Sequence, residues 1–225
     1  MKRITVLLAD DHMLVREGLR NILEQERDLE VIGEAEDGRQ AVAMVLKLRP
    51  AVVLMDIAMP LLNGLEATRQ VLKAAPATKV LILSAHRDDA YVKEATKSGA
   101  QGFLLKQISS REVCLAIREV QKGNTFFGGS IGARMQLRDP SQMNRGEPPR
   151  KKSNQLSSRE LEVLQLIAEG QPNKLVAAEL GVSFKTVDKH RQNLMAKLDI
   201  HDVAGLTRYA MAVGIIKSDV RVPLD

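Results

Sequence analysis

Across residues 1–125 the chain alternates short β-type apolar runs with amphipathic helical stretches, five times in succession. The runs fall at 4–9, 29–35, 51–55, 79–84 and 102–105. Helical spacing of apolar residues recurs at about 12–25, 38–48, 64–74, 88–98 and 109–121. Strands that alternate with helices become parallel neighbours joined by crossovers, so the pattern predicts a doubly wound, five-stranded parallel α/β sheet with helices on both faces. Ser109 with Glu112 three residues on predicts a capping box at the fifth helix.

Beyond residue 125 the character changes. Residues 126–154 are rich in Gly, Pro, Ser, Gln and Arg, with Pro148-Pro149 followed by Arg150-Lys151-Lys152, and read as a linker whose 130–137 portion has the pattern of a short helix. From Leu156 onward every segment reads as helix. Ser157 and Glu160 form a second capping box, and Leu161, Leu164 and Ile167 keep helical spacing to Gly170. A short helix from 172 or 173 to 180, the turn Gly181-Val182-Ser183, a helix over 184–198 and another over 203–213 complete an all-α, four-helix unit at 155–225. Pro172 is tolerated in a first helical turn, where Asn173 would supply the cap.

At 225 residues with these two patterns, two domains are expected, a first at 1–125 and a second at 155–225. No apolar stretch, 51–55 included, comes near the roughly 20 residues a membrane-spanning helix needs. The basic start Met1-Lys2-Arg3 is followed by too short an apolar run for a signal peptide, so a cytoplasmic protein without membrane association is expected. The single cysteine, Cys114, lies in an apolar run and reads as a small core residue. A net charge of +5 permits nucleic-acid binding without proving it.

Ligands of a parallel sheet collect at the C-terminal ends of its strands. Asp10, Asp11, Asp56, Ser84 and Lys106 all stand at such ends. Three carboxylates held together repel one another and invite a hard, oxygen-liganded cation, for which Mg²⁺ fits; that cation makes an anionic phosphoryl donor approachable. Asp10-Asp11, Asp56 with Met59-Pro60 and Asn63-Gly64, Ser84-Ala85, and Gly99-Ala100 through Phe103 to Lys106 resemble, in order and over residues 3–123, the flavodoxin-like receiver domain of two-component response regulators. The resemblance implies that Asp56 is the nucleophile that accepts phosphoryl from a phosphohistidine of a sensor histidine kinase. It implies Asp11, Asp56 and the Ala58 carbonyl as direct Mg²⁺ ligands, with Asp10 acting mainly through metal-bound water. Lys106 would pair with a phosphoryl oxygen, and Ser84 with Phe103 would form the switch. Phe103 stands where the family often has Tyr, and Gln107 where many receivers have Pro.

A Mg²⁺-dependent phosphatase of the haloacid-dehalogenase type wants a second aspartate two residues after the nucleophile, and position 58 is Ala. No Gly-x-x-x-x-Gly-Lys loop occurs, so nucleotide hydrolysis is unsupported. The chain is not expected to be a dedicated enzyme, only a phosphoryl acceptor with self-catalysed transfer and dephosphorylation.

In the last third, Ser183 caps the helix over 184–198, and Val187, Leu194 and Leu198 mark its buried stripe. Lys185, Asp188, Lys189, Gln192 and Asn193 occupy the side that could reach base edges. Lys174, Thr186, His190 and Lys197 better suit phosphate contacts. Leu156 to Glu160, Val163-Leu164, Ala168 to Gly170, Asn173-Lys174, Leu180 to Ser183, Thr186-Val187, His190 and Lys197-Leu198 resemble the LuxR-type helix-turn-helix of the NarL/FixJ family. That resemblance implies binding of double-stranded DNA, RNA polymerase as a further partner, and a dimer surface on the final helix at Leu206, Tyr209, Ala210 and Val213; core packing accounts for part of that stripe equally well. The reading is a DNA-binding response regulator that dimerises on activation, phosphorylation shifting a closed ensemble toward an open one. A DNA-binding protein regulated by a partner without phosphate is the alternative, and a phosphoryl sink is a third.

Overall fold

The computed structural model describes residues 3–85, 89–128 and 156–217. The expected 130–137 helix, the basic tripeptide 150–152 and the first position of the helix read over 88–98 lie outside them. The chain divides into two compact units, residues 1–150 and 151–225.

The first unit is a parallel sheet of β1 (Ile4–Ala9), β2 (Leu29–Ala35), β3 (Val52–Asp56), β4 (Lys79–Ser84), β5 (Gly102–Leu105) and β6 (Phe126–Phe127), in the order β2-β1-β3-β4-β5-β6. The helices α1 (Met13–Glu24), α2 (Gly38–Leu48), α3 (Gly64–Ala74), α4 (Asp89–Lys97) and α5 (Ser110–Gln121) follow β1 to β5 in turn. Side chains alternate across a strand, so each strand feeds two cores. Leu7, Ala9, Val53, Met55, Ile82 and Phe103 share one core with Ala41 and Val45 of α2, Ala67 and Val71 of α3, and Val92 and Ala95 of α4. Val6, Leu8, Leu54, Leu81 and Leu104 face the other, with Leu23 of α1 and Val113, Ala116, Ile117 and Val120 of α5. Every residue of β3 is buried, as befits a central parallel strand covered on both faces. Cys114 sits in the second core, where burial pushes its thiol pKa up, consistent with a packing role.

The sheet has six strands where five are expected. Phe126 and Phe127, read from sequence as the start of the linker, pair in parallel with Gly102 and Phe103. A Cβ at Gly102 would run into the carbonyl oxygen of Phe126, so glycine there is what lets the sixth strand approach. Two residues among Gly and Asn are too short a run to read as a strand.

The second unit holds α6 (Ser158–Ala168), α7 (Asn173–Glu179), α8 (Phe184–Leu198) and α9 (Val203–Ala212). Both predicted capping boxes form, at Ser109/Glu112 and at Ser157/Glu160. Arg159 closes the end of α7 by donating to the Leu180 carbonyl at 2.6 Å, while also pairing with Glu162 at 2.9 Å. The expected cap at Asn173 is not made. Pro172 is the capping residue and has no side-chain acceptor; Asn173 begins the helix and accepts from the Arg191 guanidinium at 3.2 Å, tying α7 to α8. Leu206 and Ala210, expected at a dimer surface, are wholly buried where α9 packs on α6. Tyr209 is half-buried, and of the four only Val213, 42% exposed, faces largely outward.

Candidate functional site

Strand order places β1 between β2 and β3, so successive crossovers leave β1 in opposite directions and open a crevice at the ends of β1 and β3. Asp10 and Asp11 follow β1, Asp56 ends β3, Ser84 ends β4 and Lys106 follows β5. The Lys106 ammonium lies 2.7 Å from Asp10 Oδ2 and 3.0 Å from Asp56 Oδ2. Burial by itself would lower the Lys106 pKa, but the field of Asp56 and the hydrogen bond and field of Asp10 outweigh it and raise the value, fixing the positive charge. The second oxygen of Asp56 accepts from the Ile57 backbone N–H at 2.9 Å.

The loop after β3 is held close. Asn63 caps α3, and a Cβ at Gly64 would strike the Asp56 carbonyl oxygen, so glycine lets the helix start against the strand that carries the aspartate. Ala58 is half-buried at the head of this loop. Ser84 is buried, stands one residue beyond Leu83, the register partner of Asp56, and its carbonyl accepts from the Lys106 N–H at 2.8 Å. Phe103 is wholly buried in the first core.

Two further side chains, His12 and Arg16, stand beside the aspartates. His12 holds the N-cap position of α1, with its ring Nδ1 3.0 Å from Asp10 Oδ1 and 2.9 Å from Asp11 Oδ1. One ligand atom from each of Asp10, Asp11, His12 and Asp56 lies within 4.8 Å of the others. Arg16, only 5% exposed, donates to the Asp10 carbonyl at 2.7 Å and pairs with Glu34 at 3.1 Å and Glu36 at 3.0 Å. It anchors the turn that presents both acids. Arg16 stands three and seven residues before Leu19 and Leu23, on the buried face of α1, which is the sequence signal that finds it.

The donor set of three carboxylates, two of them buried, suits a hard cation that prefers oxygen. Mg²⁺ fits these residues.

In the second unit Ser183 accepts from the Thr186 N–H at 3.1 Å and starts α8 after the turn. Val187 and Leu194 are wholly buried. Lys174, Lys185, Lys189, Gln192 and Asn193 are exposed, and Thr186, Asp188 and His190 are half-buried. Gln192 Nε2 donates to Asp188 Oδ2 at 2.8 Å. Lys197, expected to contact phosphate, has its ammonium 2.7 Å from the buried Glu160 carboxylate, a tie between α8 and α6. Among the described residues, no helix is long and apolar enough to cross a membrane.

A phosphoryl-type acidic pocket in one unit and a basic helix after a tight turn in the other define a signal-responsive, DNA-binding regulator. Residues 6–118 match the response regulator receiver domain, and residues 154–210 match the bacterial regulatory proteins of the luxR family. The chain is 38% identical over 207 residues to the transcriptional regulatory protein LiaR of Bacillus subtilis, covering 92% of this chain and 96% of that protein. It is 36% identical over 211 residues to the transcriptional regulatory protein DegU of Brevibacillus brevis, covering 89% of each. The RcsB response regulator of Salmonella typhimurium superposes with a TM-score of 0.62 at 27% identity, over 95% of this chain and 100% of that one. The chain belongs to the two-component response regulators of the NarL/FixJ type, which join a receiver domain to a LuxR-type DNA-binding domain.

Proposed function

We propose that Asp56 accepts a phosphoryl group from the phosphohistidine of a sensor kinase and that this event controls dimerisation and the binding of duplex DNA by the second unit. The observation that carries the reading is the Lys106 ammonium bridging the buried carboxylates Asp10 and Asp56 at the sheet's switch point. Asp11, Asp56 and the Ala58 carbonyl would hold Mg²⁺ directly and Asp10 through water; the ion would supply charge neutralisation for donor and acceptor.

The chain's own residues do the rest. An Asp56 oxygen attacks phosphorus, the P–N bond to the donor imidazole breaks, and the electron pair leaves with that nitrogen while the ring's other nitrogen keeps the proton it carries in the donor, giving an acyl phosphate and a neutral histidine. Lys106 moves from Asp56 to a phosphoryl oxygen, its charge already fixed by its surroundings. Ser84 donates to a second phosphoryl oxygen and draws the end of β4 inward. Phe103, on the neighbouring strand, follows and changes the outer surface. Water attacking the phosphorus of the acyl phosphate in the same cage breaks the bond to the Asp56 oxygen, releases inorganic phosphate and restores the carboxylate, so transfer and dephosphorylation are both self-catalysed. The protein would work in the cytoplasm, where kinase, DNA and RNA polymerase meet. A solved RcsB structure has two dimers bound to two parallel DNAs; a dimer on DNA is proposed here too, with Lys174, Lys185, Thr186, Asp188, Lys189, His190, Gln192 and Asn193 at the interface.

Intact-mass spectrometry with a small phosphodonor and Mg²⁺ tests the first step. A gain of one phosphoryl group, absent in Asp56→Asn, together with donor-dependent capture of a duplex library, is the expected result. Capture indifferent to donor and to Asp56 would favour regulation by a protein partner instead.

A further inference from the structure

Six aromatic residues occur in the chain, four Phe and two Tyr. Phe103 is wholly buried, and Phe126, Phe127, Tyr91 and Tyr209 are half-buried. Phe184 alone is mostly in water, 58% exposed. It is the first residue of α8, immediately after the turn that Ser183 closes. Burying such a ring is favourable, and the second unit's own core forgoes that gain.

Its neighbours say what covers it. On a helix, residues four apart stack in rows. Phe184, Asp188 and Gln192 form one row, and Lys185, Lys189 and Asn193 the adjacent one. The second row carries two exposed lysines, and the first carries the Gln192 amide held by Asp188 at 2.8 Å. An apolar ring beside two ammonium groups and a fixed amide complements a surface that offers phosphates, hydrogen-bonding edges and apolar methyl groups together. The major groove of duplex DNA is such a surface, and its only apolar feature is the C5-methyl of thymine.

We propose that Phe184 is a specificity-determining residue that packs its ring on a thymine methyl at the end of the half-site read by the first turn of α8. The proposal rests on the DNA-binding reading above and deepens it. Lys185 and Lys189 hold the helix in the groove through charge, and the ring selects thymine at one position by apolar contact.

The test uses the intact chain with phosphodonor and Mg²⁺. Enriched sequences are first selected from a random duplex library. Each thymine of the enriched half-site is then replaced by deoxyuridine, which removes the methyl and nothing else. Wild-type affinity should fall about fourfold at one or two positions, the worth of one buried methyl-sized group. Phe184→Ala should bind more weakly overall and lose that sensitivity at the same positions, while Phe184→Leu should keep part of it. The residue is exposed, so both variants should retain the wild-type thermal melt. Equal wild-type affinity for thymine and deoxyuridine throughout, a half-site without thymine, or a penalty that persists in Phe184→Ala overturns the proposal. No enrichment of any sequence by the folded, phosphorylated protein would overturn the DNA-binding reading itself, and this assignment with it.

Discussion

Lys106 shows how a single side chain sets the character of its surroundings. It balances two buried carboxylates, and removing it leaves Asp10 and Asp56 facing each other without a counter-charge. Lys106→Met should therefore cost roughly 2–3 kcal/mol in urea unfolding without metal, part of it recovered on adding Mg²⁺; equal stability of variant and wild type would sink the idea. Leu61 offers the opposite case. It sits at φ 64°, a left-handed conformation that a leucine adopts at a cost of about 1 kcal/mol. Leu61→Asn, better suited to that region, should raise the unfolding free energy by roughly 0.5–1 kcal/mol in the same titration. The aspartates and Lys106 were legible in the sequence because each closes an apolar run, and strand ends converge. Arg16 was legible only in part: its spacing to Leu19 and Leu23 puts it on the buried face of α1, but the carbonyl and glutamates that receive it come from other segments and show only in the fold.

Among elements, α7 starts without a side-chain cap because Pro172 has no acceptor to give. Pro172→Ser keeps a compatible backbone and adds the missing oxygen, and should raise the thermal midpoint through a gain of about 0.5–1 kcal/mol. The join between α6 and α8 depends on pH. Burial would push the Glu160 pKa up, but the Lys197 hydrogen bond and those from Ser157 outweigh it and hold the value below the ordinary 4.5. A depressed folded value means the pair's contribution is whole above about 4.5 and fades as pH falls through the lower folded value. Glu160→Gln should flatten the acid limb of the stability profile and cost roughly 1–2 kcal/mol at neutral pH, since Lys197 is partly exposed. Most elements could be read directly, as periodicity and caps determine them locally. The α9 stripe could not be divided by pattern: Leu206 and Ala210 turn inward and Val213 outward, which depends on where α6 lies.

At the scale of the whole molecule, the two units have their own cores, so the local changes above should stay local. Lys106→Met should move only a transition of the receiver and Glu160→Gln only one of the DNA-binding unit, read by calorimetry of the intact chain. The βα alternation and the tight turn between helices made this two-part plan readable, because each is a long, repeated pattern. The exit from the receiver was hidden, because two residues of strand carry no period. That exit has a mechanical meaning. The chain leaves the receiver hydrogen-bonded to the strand that holds Phe103, Gly128 N–H to the Phe103 carbonyl at 3.0 Å. A displacement of that strand, as proposed on phosphorylation, would carry Gly128 with it, so the end of the receiver would shift together with the face around Phe103.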